Sequence, residues 1–272
     1  MTDIPDAGAA STNPTESAAL VPTAALAAHA ADLNRQYVTA SPFPFIELQG
    51  LWDDAVLARV DAEFPKPGSR DWLQWETPEE SKETSRGIDG LSPFIQDVLK
   101  ALNSEPFLEV MRTITGLDDL VADETFFGAG LHEAFRGGWL KVHGDWTRHP
   151  EKPLARRVNL LTYLNRDWDP VWGGDLELWD PKTQTCAVRV PPVFNRTVIF
   201  NTTSDALHGF PRPLSCPPDR SRRLISVYYW SADPELLANA EHIKWADDRP
   251  APQREEGLAG LLGKAKRLFG RD

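Results

Sequence analysis

The sequence predicts a mainly β domain, a β-sandwich or jelly roll, entered through helices. Three observations carry this. From Glu124 onward, seven short β-prone runs follow one another: ETFFGAGLHEAF, GWLKVHGDW, RRVNLLTYLN, DLELWD, CAVRV, RTVIFN and RRLISVYYW. Gly, Pro, Asn and Asp punctuate them, as in an antiparallel β architecture. No long helical pattern separates them, which argues against a parallel α/β sheet.

In chain order, residues 1–22 are rich in Ala, Thr, Ser and Pro and read as a disordered tail. Residues from Thr23 to about Tyr37 are Ala-rich and free of Pro and Gly, so a helix is expected. Phe43-Pro44-Phe45-Ile46 reads as an edge strand, because Pro44 cannot donate to a central ladder. Asp53 and Asp54 can cap a helix running to about Phe64, with Val56, Leu57 and Val60 on one face. Residues 66–90 are polar and read as irregular. The stretch from Ser92 reads as two helices broken near Asn103-Ser104, the second capped by Ser104 and ended by Gly116. One domain is expected over 23–245, with its β core at about 121–232. Residues 246–272 form an extension with a candidate amphipathic helix, in which Leu258, Leu261, Leu262, Ala265, Leu268 and Phe269 share a face.

Composition narrows the function. The formal net charge of −11 disfavours a nucleic-acid backbone as partner. Two cysteines exclude a disulfide scaffold, and no Cys-x-x-Cys pair supports a thiolate zinc site. No run has the length and apolarity of a membrane span, and the N-terminal run lacks a secretory pattern, so the expected location is the cytoplasm.

The chemistry concentrates in His143-Gly144-Asp145, His208 and Arg222. On a strand, residues two apart face the same side, so His143 and Asp145 can reach one ion. His208 follows the apolar run Val198-Ile199-Phe200 and can supply a third ligand from another strand. Two imidazoles and a carboxylate leave about three positions of an octahedral Fe(II) open, two for a bidentate 2-oxo acid and one for O2. Taken singly, His143 has an ordinary reading as a buried partner of Asp145, and His208 as a loop residue. Arg222 can grip a carboxylate in bidentate fashion. Alternation puts Arg222, Leu224 and Ser226 on one face and Arg223, Ile225 and Val227 on the other. The inward arginine is read as Arg222, against Arg223 or two surface arginines.

These residues sit in recognisable runs: Gly138-Trp-Leu-Lys-Val-His143-Gly-Asp145, Arg157-Val-Asn-Leu-Leu-Thr-Tyr163-Leu-Asn-Arg-Asp-Trp168, Gly173-Gly174-Asp-Leu176, and Arg222-Arg-Leu-Ile-Ser-Val-Tyr228. The paired glycines at 173–174 read as a hairpin turn.

The chain resembles the prolyl-4-hydroxylase-like branch of the Fe(II)/2-oxoglutarate-dependent dioxygenases over roughly residues 40–232. That resemblance implies a double-stranded β-helix, a cupin-like jelly roll of mainly β structure with flanking N-terminal helices packed on one sheet. It implies that His143, Asp145 and His208 hold Fe(II). It implies that Arg222 pairs with the distal carboxylate of 2-oxoglutarate, that Tyr163 donates a hydrogen bond to it, and that Leu176 packs on its methylenes. Asn159 shares a strand face with Tyr163, Leu161 and Arg157, where it orients a water or substrate or simply packs. The implied cofactors are Fe(II), 2-oxoglutarate and O2, with ascorbate as a reductant. The implied reaction is hydroxylation of an organic substrate with release of succinate and CO2. Asp145 argues against a halogenase, in which the ligand carboxylate is replaced.

The chain departs from the pattern in the long, Pro-rich segment between His208 and Arg222, which reads as a stiff loop at the pocket mouth. The substrate is small or peptidyl, with a prolyl residue among the options, and the oligomeric state is not legible. Two other readings stand beside this one. A cupin-like metal enzyme that does not use O2 leaves Arg222 and Tyr163 without a purpose. A catalytically inactive β-domain acting as a binding module leaves the ligand triad without one.

Overall fold

The computed structural model describes residues 20–240 and 242–246. Most of the expected tail and nearly all of the expected C-terminal extension, including its amphipathic helix, lie outside the described residues. Val21, at the end of the expected tail, is buried in the main core.

Helix α1 (Thr23–Thr39) buries Leu26, Ala30, Leu33 and Tyr37, a stripe at helical spacing. The Tyr37 hydroxyl donates to Asn201 Oδ1 at 2.5 Å and ties the helix to the sheet. Among the described residues, strand β1 (Phe45–Gln49) pairs only with β10, so it is an edge strand as Pro44 requires. Helix α2 (Asp54–Ala62) starts at Asp53, whose carboxylate accepts from the Ala55 N–H.

Residues 66–90 are not wholly irregular. They contain a hairpin of β2 (Leu73–Glu76) and β3 (Glu80–Thr84). Strand β2 alternates Leu73 and Trp75 with Gln74 and Glu76 over only four residues, and β3 has no apolar residue to read. The strand exists because β3 is inserted between β5 and β6, so tertiary pairing overrides local preference. Helices α3 (Pro93–Leu102) and α4 (Glu105–Thr115) follow. Ser104 precedes α4 but does not cap it with its side chain; its hydroxyl turns back to donate to the Ala101 carbonyl at 2.7 Å. Gly116 ends α4 in the left-handed conformation, with φ of 71°.

The remaining strands are β4 (Leu120–Val121), β5 (Gly130–Ala134), β6 (Trp139–Gly144), β7 (Ala155–Tyr163), β8 (Leu176–Asp180), β9 (Thr185–Val190), β10 (Arg196–Asn201), β11 (His208–Phe210), β12 (Arg222–Ser231) and β13 (Lys244–Trp245). A short helix, α5 (Pro234–Ala238), separates the last two. Strands β10-β7-β12-β5 form one sheet and β6-β11-β8-β9 the other, with β3 joining them. All of these pairings are antiparallel. This is a jelly roll, mainly β, with the N-terminal helices on one sheet.

Alternation assigns the two faces of that sheet. Leu160, Ile199, Ile225, Val227 and Tyr229 point outward and share a core with Leu26, Leu99, Phe107 and Met111 of the helices. Tyr163, Val198, Phe200 and Leu224 point inward and pack on Leu176, Leu178 and Val190 of the opposite sheet. The helices therefore stiffen the back of the sheet whose front faces the cavity.

One loop is held by charge. Asp123 accepts hydrogen bonds from the Thr125 N–H and hydroxyl, the Phe127 N–H, His149 Nε2 and Lys152 Nζ at 2.7–3.2 Å. Burial by itself raises the Asp123 carboxyl, but the bonds from Thr125, Phe127 and Lys152 outweigh it and hold the group well below the usual range. Asp123→Ala is expected to cost about 2–4 kcal/mol, read as a lower urea midpoint. A lowered folded pKa means the ionised group stabilises the fold fully above the unfolded value of about 4 and less as acid is added. The gap between wild type and variant should therefore narrow below roughly pH 3.

Candidate active site

The register of β6 against β11 sets His143 directly opposite His208. Their ring centroids lie 4.6 Å apart. Asp145 follows His143 by two residues and faces the same side, with its Oδ1 at 3.5 Å from His143 Nε2 and its Oδ2 at 3.6 Å from His208 Nε2. Ligand atoms of all three residues lie within 4.8 Å of one another, and all three side chains are buried. Gly144 lets the chain through: a Cβ there would stand 2.4 Å from the Ser204 carbonyl oxygen.

The imidazoles are oriented for a metal. Nδ1 of His143 lies 2.9 Å from the Lys141 carbonyl, and Nδ1 of His208 lies 2.9 Å from the Ala206 carbonyl. Carbonyls only accept, so both Nδ1 atoms carry the proton and both Nε2 lone pairs face the shared centre. Burial, more than any charge, pushes the His208 pKa down to about 4, which keeps the ring neutral and able to ligate. The donor set of two imidazole nitrogens and one carboxylate oxygen fits Fe(II) with open positions.

Asp145 is also held from the other sheet. Asn159 Nδ2 donates to its Oδ2 at 2.8 Å, and Arg156 Nη2 lies 3.3 Å from the same oxygen. Arg156 Nε donates to Asn159 Oδ1 at 2.8 Å, closing a three-residue network. Burial opposes ionisation of Asp145, but the Arg156 guanidinium, above all, holds its carboxyl well below the usual range. Asn159 thus bonds the Asp145 carboxylate. Arg156 was not legible as a site residue, because strict alternation puts Arg157 on the inner face. The register between β7 and β12 shifts after Tyr229, which pairs with Val158 while Trp230 pairs with Arg156. That bulge turns Arg156 inward, over the Tyr228 ring at 3.4 Å, and leaves Arg157 beside Asp119. The adjacent arginines at the head of an apolar run were the available signal.

Arg222 lies on the inner face and is buried. Its Nε donates to the Gly174 carbonyl at 2.7 Å and its Nη2 donates to the Tyr163 hydroxyl oxygen at 3.0 Å. The Tyr163 hydrogen is then free to donate elsewhere. Gly174 serves this contact and not a hairpin turn: a Cβ there would lie 2.7 Å from Leu214 and 3.1 Å from Arg222, and φ is +83°. Arg223 points away and pairs with Glu133 and Asp61. Leu176, Leu161 and Leu224 line the apolar middle of a cavity of about 80 Å3 that joins Arg222 to the triad. His132, read from sequence as a core or sheet-face residue, also lines it. The Pro-rich loop packs its Leu214 backbone on Gly137 and Gly138 and its side chain on Gly174, at the Arg222 end of the cavity.

A jelly roll with a two-histidine, one-carboxylate cluster and a buried arginine defines a class of non-haem metal proteins. Residues 129–230 match the model of the 2OG-Fe(II) oxygenase superfamily. Those residues, which carry the triad, Tyr163 and Arg222, are thus similar to a 2-oxoglutarate-dependent Fe(II) oxygenase domain. Its fold is similar to that of a prolyl-4-hydroxylase from Pseudomonas putida, with TM-score 0.54 and 17% identity over 75% of this chain and 99% of that one. It is also similar to a prolyl hydroxylase from Trichoplax adhaerens, solved with a hypoxia-inducible-factor peptide fragment, with TM-score 0.56 and 17% identity over 80% and 96% of the two chains. No match is found among curated protein sequences.

Asn159→Ala frees one oxygen of Asp145 and unbalances Arg156. It is expected to weaken divalent-metal binding by about 10–100-fold, measured by anaerobic titration with Fe(II) or Mn(II). An unchanged affinity would show that Asp145 needs no support from the opposite sheet.

Proposed function

We propose that His143, Asp145 and His208 hold Fe(II), that Arg222 and Tyr163 anchor 2-oxoglutarate, and that a substrate C–H group is hydroxylated at the triad end of the cavity. One observation carries the reading. Arg222 is buried and charged, yet among the described residues no carboxylate lies within ion-pair reach of it. A buried guanidinium without a counter-ion is costly, so the site fits an anion arriving from solution. The carboxylate end of a dicarboxylate satisfies it, and its other end then points along Leu161, Leu176 and Leu224 toward the triad.

Each side chain has a defined task. The two Nε2 lone pairs and Asp145 fix the metal on one face and leave the cavity side open. Asn159 and Arg156 hold Oδ2 of Asp145 and keep the carboxylate anionic. Arg222 neutralises the distal carboxylate, and the Tyr163 hydroxyl donates to it. Leu176 excludes water from the methylenes between. Bound Fe(II), with 2-oxoglutarate and O2, supplies the oxidising power, converting the co-substrate to succinate and CO2 as the substrate gains a hydroxyl group.

Both prolyl-hydroxylase folds support a peptidyl substrate, with a prolyl residue as the first choice, over a small metabolite. Ascorbate as reductant rests on the family resemblance. A cytoplasmic location is in keeping with two free cysteines, Cys186 and Cys216. No described helix is long and apolar enough to cross a membrane.

The test is anaerobic addition of Fe(II) and 2-oxoglutarate, followed by the visible metal-to-ligand charge-transfer band. Wild type should develop the band. Arg222→Met should need at least about 100-fold more 2-oxoglutarate, in line with the loss of a buried charge-assisted pair. Tyr163→Phe should need roughly 5–10-fold more, the value of one hydrogen bond. Arg223→Lys should titrate like wild type. Succinate formation should vanish in Asp145→Ala, and full activity there would sink the metal assignment.

A further inference from the structure

With a metal on the triad and a dicarboxylate on Arg222, the remaining cavity wall has a chemistry of its own. Strand β12 presents Ser226 and Tyr228 after Arg222 and Leu224, and β5 presents His132 opposite Leu224. The Ser226 hydroxyl is fully buried and has no hydrogen-bond partner. Its cross-strand neighbours cannot supply one, being Gly130 on β5 and Leu161 on β7. The Tyr228 hydroxyl makes no hydrogen bond among the described residues, although the ring carries Arg156. His132 Nε2 faces the Gly128 carbonyl at 3.1 Å, so it carries the proton and leaves Nδ1 as an acceptor. Burial pushes the His132 pKa down to about 3, with Lys82 adding to the shift, so the ring is neutral.

The charged groups of the cavity tell the other half. Lys82 is paired with Glu80 at 2.9 Å, Glu133 with Arg70 and Arg223, and Arg156 with Asp145. Arg222 is reserved for the co-substrate. No charge is left over for the substrate, while two hydroxyl donors and one imidazole acceptor are. A carboxylate or ammonium group entering here would shed water and meet no counter-charge, whereas an amide would exchange one set of hydrogen bonds for another.

We propose that Ser226, Tyr228 and His132 form a substrate-binding wall that accepts an uncharged amide next to the reacting carbon and rejects a free amino acid. An amide carbonyl accepts from Ser226 or Tyr228, and an N–H donates to Nδ1 of His132. This assignment rests on the proposed places of metal and co-substrate. It makes the three residues determinants of specificity, separate from the anchors of iron and 2-oxoglutarate.

Saturation-transfer difference NMR tests it on the full chain loaded with Zn(II) and 2-oxoglutarate. The probes are the N-acetyl amides of the common amino acids, each beside its free amino acid. At least one capped amide should bind while its free counterpart does not. Ser226→Ala and Tyr228→Phe, which each remove a single oxygen, should weaken that probe by about fivefold. The proposal falls if no capped amide binds, if free amino acids bind equally well, or if both variants bind as wild type does. The charge-transfer band separates the two levels. Its absence from wild type defeats the co-substrate reading itself; its presence beside any of those NMR results defeats only the wall.

Discussion

The carboxylate of Asp145 is where the two sheets meet. His143 and His208 approach it from β6 and β11, and Asn159 and Arg156 approach it from β7. A carboxylate buried at this depth must be compensated, and each compensating group fixes a piece of backbone. The histidines fix the register of β6 on β11. Asn159 and Arg156 fix the bulge in β7, because only a residue inserted there lets both side chains of positions 156 and 159 face inward. The separation of the sheets at this end is therefore set by hydrogen-bond lengths as well as by apolar packing.

The opposite end of the cavity follows another rule. There the charge is positive and its solvation is incomplete: Arg222 spends two donors on Gly174 and Tyr163 and retains others. The negative end is complete without a ligand and the positive end is not. Between them lie leucines, which offer nothing to a charge. The cavity is thus polarised along its length, and a molecule with an acid at one end and chelating oxygens at the other can enter in only one productive orientation. Binding such an anion stabilises the folded state as well, since the unfolded chain has no equivalent site.

Much of this was legible because strands have a period of two. His143 and Asp145, or Arg222, Leu224, Ser226 and Tyr228, share a face by arithmetic alone, and the structure keeps those faces. What escaped were departures from that arithmetic. The bulge at residues 156–158 replaced Arg157 by Arg156, and a bulge depends on the partner strand, not on its own sequence. Strand β3 has no apolar residue and acquires strand form only from its neighbours β2, β5 and β6. Strand β11 is three residues long, too short for any pattern, yet it carries His208. Ser104 stands where a cap belongs, but a nearer carbonyl takes its hydroxyl.

The placement of these irregularities has a physical logic. The outer face of the β10-β7-β12-β5 sheet is packed against helices, where a one-residue slip would expose Ile225, Val227 and Tyr229 and bury their polar neighbours. Register is therefore rigid along most of that sheet, and Arg222, Tyr163 and Ser226 inherit the rigidity. The bulge falls near the end of β7, past Tyr229, where it can re-aim one side chain without moving the core. Within that sheet, regular pairing places Arg222, Tyr163 and Leu224 at one end of the cavity, and the break in β7 brings Arg156 to the Asp145 carboxylate at the other. A cavity with a guanidinium at one end and a compensated carboxylate at the other requires both.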